Sequence, residues 1–198
     1  MDTVRFVRGY LRNVACVIEQ VSVDDIVKFL DVIKVAHADN RRVFVIGNGG
    51  SAATAAHMAN DLLLGSARHG GRGLRVHALT DNIPTVTAAA NDLGYSEVFA
   101  VQLKVLADPG DVLITISVGG KSPNIIRAIE VAKDLGLKSV GILGAGGGHA
   151  GEMVDVAVIV PSEGYGPVES VHLVLDHLTT EYFCLLQRTK TGVDSVTS

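Results

Sequence analysis

Two short stretches of this 198-residue chain concentrate the side chains that could do chemistry. In the first, the imidazole of His57 and the carboxylate of Asp61 are four residues apart, so on a helix they share one face. In the second, Glu169, His172, Asp176 and His177 crowd into an otherwise apolar segment and offer alternative polar faces. Glu169 and His177 are eight residues apart, which returns them to a similar face after about two turns. Val171, Val174, Leu175 and Leu178 would supply the packing face of that helix. His57, Asp61, Glu169 and His177 would together make a mixed nitrogen and oxygen set suited to zinc or another divalent ion. The same groups could equally work without metal, as a carboxylate base and an imidazole acid tuned by their neighbours.

Two glycine- and serine-rich turns stand ahead of these groups. The apolar run 43–46 reads as a buried strand, and Gly47-Asn48-Gly49-Gly50-Ser51 follows it directly. Its glycines allow a sharp turn and a close backbone approach to a ligand. Ser51 falls where a helix N-cap would, at a positive dipole end that favours phosphate. The second turn is Ser117-Val118-Gly119-Gly120-Lys121-Ser122, with Pro123 suited to the first turn of a helix and Ser122 to its N-cap. A nucleotide P-loop is excluded, because GxxxxGK[ST] is absent. Gly47, Gly49 and Ala52 fit a looser dinucleotide pattern, but the ribose-binding acid is missing, since residues 67–75 hold only Ala, Arg, His, Gly and Leu. A phosphate cradle beside an acid/base or metal pair points to an enzyme acting on a small phosphorylated molecule.

These residues need a scaffold, and the pattern supplies one. Amphipathic helices are expected at 3–19 and 23–39, the second with Ile26, Phe29, Leu30, Ile33 and Ala36 at helical spacing. Beyond them strands at 43–46, 75–79, 111–116, 138–143 and 155–160 alternate with helices at 51–63, 83–90, 96–107, 123–135 and 167–187. That alternation predicts an α/β fold, a doubly wound five-stranded parallel sheet with right-handed crossovers and an N-terminal helical pair. With strand order 2-1-3-4-5, the order reverses between the first and third strands, and the two Gly/Ser turns face each other there. The pair at 1–40 exceeds what a minimal domain needs and is expected to pack on another subunit or to cover a sheet edge. The main domain is expected at 41–188 and a frayed polar tail at 189–198.

Composition narrows the partners. A net charge of -4 gives no reason to expect nucleic acid or an anionic membrane. Local helix dipoles still leave room for an anionic substrate. Cys16 and Cys184 have no metal-type spacing and read as free thiols of a reducing compartment. The first twenty residues carry mixed charge without an apolar core, and no run approaches a membrane span, so a cytoplasmic protein is expected.

From about Val43 to Leu186 the chain resembles the phosphoheptose isomerases of the sugar isomerase (SIS) domain superfamily. The resemblance is carried by GNGGS at 47–51, the following helix with His57 and Asp61, Asn91-Asp92, the turn at 117–122, and the last helix with Glu169 and His177. It implies a flavodoxin-like SIS domain that interconverts sedoheptulose 7-phosphate and D-glycero-D-manno-heptose 7-phosphate through an enediol. By resemblance Asp61 is the base and His177 the acid. Asn48, Gly49, Gly50, Ser51, Asn91, Asp92, Ser117, Gly119, Ser122 and Glu169 would bind substrate. Zinc would sit on His57, Asp61, Glu169 and His177. The resemblance also implies a homotetramer whose active sites are shared between subunits. This chain departs from the family pattern in having Asp61 where Glu is common, Glu169 where Gln is common, and fewer hydroxyls in the second turn, where Lys121 could supply a cation. Other members of the superfamily are non-catalytic sugar-phosphate-binding or protein-interaction modules, or isomerases of other sugar phosphates. The presence of both His57/Asp61 and Glu169/His177 argues for the enzyme.

Overall fold

The computed structural model of the chain describes residues 2–67 and 72–191, the last three as backbone only. The expected tail therefore lies outside the described residues from 192 onward, while 189–191 continue the last helix. Helices α1 (Thr3–Glu19) and α2 (Val23–Ala38) precede an alternating series: β1 (Arg42–Ile46), α3 (Gly50–Ala67), β2 (Arg75–Ala78), α4 (Ile83–Asp92), α5 (Ala100–Leu106), β3 (Val112–Ser117), α6 (Pro123–Asp134), β4 (Lys138–Leu143), α7 (Gly148–Met153), β5 (Val156–Ile159) and α8 (Tyr165–Thr191). The five strands pair in parallel in the order β2-β1-β3-β4-β5, the order under which the two Gly/Ser turns face each other.

Successive side chains of a strand point to opposite faces, and here each face has its own core. Val43, Val45, Ile114, Ile116, Val140 and Ile142 face Phe29 and Ile33 of α2, Met58 and Leu62 of α3, and Val171 and Leu175 of α8. Phe44, Ile46, Leu113 and Leu143 face Phe99, Leu103, Ile125 and Ile129 on the other side. Burial on both faces explains why β1 and β3 read as continuous apolar runs instead of alternating ones.

The N-terminal pair divides in two. Helix α2 buries Phe29, Leu30, Ile33 and Ala36 and belongs to the sheet's helical layer. Helix α1 buries only Val17 and lies along α8, with Tyr10 against Gly166. Asp2 caps α1 by accepting from the Val4 and Arg5 amides, and Ser22 caps α2 through the Asp25 amide. Among the described residues, no helix is long and apolar enough to cross a membrane, and both cysteines are free thiols.

Candidate active site

The turn after β1 and the turn after β3 meet at the reversal of strand order, and the side chains there are tied together. The Asn48 and Asn124 amides donate to one another's carbonyl oxygens at 2.9 and 2.8 Å. Tyr95 donates its hydroxyl to Asn48 Oδ1 at 3.0 Å. Asn124 is buried and its oxygen also accepts from the Ile125 amide, which pins the start of α6. Sequence reasoning missed Asn124 and Tyr95. Neither belongs to a Gly/Ser motif, and only the crossing of two turns makes them partners.

Between the turns lies a cavity of about 650 Å³ lined by Asn48, Gly49, Gly50, Ser51, Ser117, Gly119, Lys121, Ser122, Tyr165 and Glu169. Eight of the ten residues expected to bind substrate line it. The other two, Asn91 and Asp92, are exposed at the end of α4, bonded to each other, and outside its lining. Helices α3, α6 and α8 all begin at this cavity, so several backbone N–H groups and three positive dipole ends converge on it. Ser122 is the N-cap of α6 and Pro123 opens its first turn, as expected. Its hydroxyl makes no bond to the helix amides and is left for the cavity. Ser51 differs from expectation: α3 begins at Gly50, so Ser51 is inside the helix and largely buried. Gly50 has a steric reason, since a Cβ there would collide with the Glu169 carboxylate that lies against the opening of α3.

One to three turns further along, α3 and α8 bring His57, Asp61, Asp176 and His177 together. One ligand atom from each lies within 4.8 Å of all the others. His57 Nε2 is 3.3 Å from His177 Nε2, 3.2 Å from Asp61 Oδ2 and 3.8 Å from Asp176 Oδ2. The two rings meet edge to face. His57 and His177 are exposed and Asp61 is half-buried, whereas the Asp176 side chain is fully buried. Burial pushes the Asp176 carboxyl up to about 7, the charge of Asp61 adds to that, and His177 pulls the other way. His172, one turn earlier on α8, is also fully buried without a hydrogen-bond partner, and burial pushes its imidazole down to about 4.

The expected metal set is therefore altered in one member. His57, Asp61 and His177 do converge, but the fourth group beside them is Asp176, and Glu169 is turned to the cavity at the start of the same helix. Two imidazoles and two carboxylates from two helices form a donor set that fits a divalent transition ion. The cluster borders a second, smaller cavity of about 150 Å³ lined by Asn60, Asp61, Leu64, Gly65, His177, Thr180 and Glu181.

Comparison with known proteins agrees with this architecture. The SIS domain family profile matches residues 9–144. A phosphoheptose isomerase of Aliarcobacter butzleri is 41% identical over 139 residues, spanning 70% of this chain and 73% of the relative. Solved structures of phosphoheptose isomerases from Francisella tularensis and Neisseria gonorrhoeae superpose with TM-scores of 0.85 and 0.83. They are 26% and 27% identical, and the matches cover 92% and 90% of this chain and 98% and 97% of theirs. The chain belongs to the SIS domain family and, within it, to the phosphoheptose isomerases, and it is an isomerase.

Proposed function

We propose that this member of the phosphoheptose isomerase family interconverts sedoheptulose 7-phosphate and D-glycero-D-manno-heptose 7-phosphate by proton transfer between C1 and C2 through an enediol. The observation that carries the reading is the spacing of two unlike sites along two parallel helices. A cavity of helix N-termini, hydroxyls and Lys121 suits a dianion, and the acid/base cluster lies deeper on the same helices. Ser51 to His57 is six residues, about 9 Å along α3, and Glu169 to His177 is eight, about 12 Å along α8. That separation is of the order of an extended seven-carbon sugar between its carbonyl end and its phosphate. A pentose phosphate held by the same cradle would leave its carbonyl short of the cluster.

In this reading the amides of Gly49, Gly50 and Gly119 and the hydroxyls of Ser51, Ser117 and Ser122 hold the phosphate. Asn48 and Glu169 meet sugar hydroxyls. Asp61 takes the proton from carbon, and His177 delivers one to the neighbouring oxygen. In the single chain His177 is exposed and Asp61 half-buried, so a substrate can reach both. Zinc held by His57, Asp61 and His177 would supply Lewis-acid polarisation of the sugar oxygens.

Proton NMR in deuterated water with a panel of ketose phosphates tests the reading. The heptulose phosphate should exchange its C1 proton with solvent, and Asp61→Asn and His177→Ala should each lower kcat by ~10²–10⁴-fold in a folded protein. Near wild-type turnover by Asp61→Asn would show that the base is elsewhere. Faster turnover of a shorter sugar phosphate would replace the substrate assignment.

A further inference from the structure

Asp176 is the member of the cluster that the proton-transfer reading leaves without a task. Its side chain is fully buried, yet neither carboxylate oxygen has a hydrogen-bond partner. A buried carboxylate in that condition is costly unless a cation or donor meets it. Among the described residues no lysine or arginine forms an ion pair with Asp176, and His57 Nε2 lies 3.8 Å from its Oδ2. That nitrogen is already beside His177 Nε2 and Asp61 Oδ2. A ring nitrogen carries at most one proton, so His57 Nε2 as donor satisfies one of these three approaches, and the others then need a proton on His177 or on a carboxyl. A cation among the four atoms resolves all of them together. In tetrahedral zinc sites with bonds of about 2.0–2.1 Å, neighbouring ligand atoms are about 3.3 Å apart, close to the 3.2 and 3.3 Å separations here.

We propose that Asp176, and not Glu169, is the fourth ligand of a divalent-ion site with His57, Asp61 and His177, and that Glu169 stays with the sugar cavity. The proposal rests on the reading that this cluster holds a metal. Each helix then contributes one imidazole and one carboxylate, and two neutral imidazoles with two carboxylates balance a divalent charge. Glu169, two turns toward the start of α8, is held against Gly50 at the mouth of α3. There it can accept hydrogen bonds from sugar hydroxyls.

The experiment is metal binding by the full-length protein stripped with chelator, followed by zinc calorimetry and cobalt absorption. Wild type should take one ion per chain. Asp176→Asn should lose more than ~100-fold in affinity, beyond the 10–100-fold typical of removing an outer-sphere partner. Glu169→Gln should stay within a few-fold of wild type. Thermal melts of the metal-free variants check that each is folded. Asp176→Cys gives a second readout, since a thiolate ligand adds a near-ultraviolet charge-transfer band to the cobalt spectrum that wild type lacks. The proposal is overturned by wild-type affinity in Asp176→Asn, by loss of the ion in Glu169→Gln with retention in Asp176→Asn, by a cobalt-loaded Asp176→Cys protein without the thiolate band, or by a wild type that binds no ion. Turnover is measured separately. Affinity that follows Asp176 in a protein inactive on heptose phosphates keeps the ligand assignment and removes the substrate reading.

Discussion

At the scale of single residues, His172 and Asp176 show what helix spacing alone could not decide. Spacing on α8 made Glu169 and His177 natural partners, because eight residues return to a similar face. It also put Asp176 seven residues from Glu169, a closer match, about 20° off the same face against about 80° for His177. Both carboxylates face α3, two turns apart, and the axial register of the two helices, which packing sets, puts Glu169 against Gly50 at the cavity and Asp176 beside His57 in the cluster. Buried without a partner, His172 has a consequence that can be measured. Its imidazole is pushed down to about 4 from 6.5, so below pH 6.5 the unfolded chain binds a proton that the native chain refuses. Stability is then lost as pH falls from about 6.5 to about 4, by about 3 kcal/mol from this group. Asp176 is shifted upward and contributes the opposite slope, so the comparison must be between proteins that both retain it. In urea titrations of chelator-treated protein, His172→Gln should gain stability relative to wild type by about that amount between pH 7 and 4. Parallel curves for the two proteins would mean that His172 is protonated or solvated in the native state.

At the scale of elements, the alternation of apolar runs and amphipathic helices was legible because each strand is buried on both faces and each helix has one packed stripe. Crossover handedness alone does not single out a strand order, but the observed one is the order under which the two Gly/Ser turns meet. Helix α7 was not legible. The sequence pattern predicts no helix between the strands at 138–143 and 155–160, and the β4–α7 connection is clamped to the turn after β3. The Ala150 amide donates to the Gly120 carbonyl at 2.9 Å. Gly120 itself has φ +58°, and a Cβ there would collide with the Gly147 carbonyl. Gly120→Ala should therefore destabilise by more than ~1 kcal/mol, because it combines an unfavourable φ with a backbone collision. It should also raise KM more than it lowers kcat, since the turn it displaces lines the cavity while the acid/base cluster lies on other elements. An unchanged urea midpoint, or a kcat loss with constant KM, would show that the clamp does not set the turn.

At the scale of the whole molecule, part of the chain's exposed apolar surface lies on the helices that carry its chemistry. Helix α1 exposes Val4, Phe6, Val7 and Leu11, the last two-thirds open to solvent at 62%. Leu63 and Leu64 on α3 and Leu173, Val174 and Leu178 on α8 are also exposed, and they flank His57, Asp61 and His177 in sequence on the same two helices. Scattered apolar residues need no explanation, but a run along one helix and a patch around an open polar cluster mark surfaces that a partner covers. Closed symmetry makes a second copy of the chain the economical partner, and two such surfaces give a tetramer. We therefore expect a homotetramer in which neighbouring subunits close over the α3–α8 face and shield the acid/base cluster from water. Light scattering at micromolar concentration should give four times the chain mass. Phe6→Glu with Leu11→Glu should shift the protein to smaller species and lower kcat, because burying those carboxylates at an interface is costly and an open cluster loses its dry surroundings. Wild type that is monomeric and fully active would overturn the expectation. A tetramer that survives the double substitution would move the interface off α1 and onto the α3–α8 face alone.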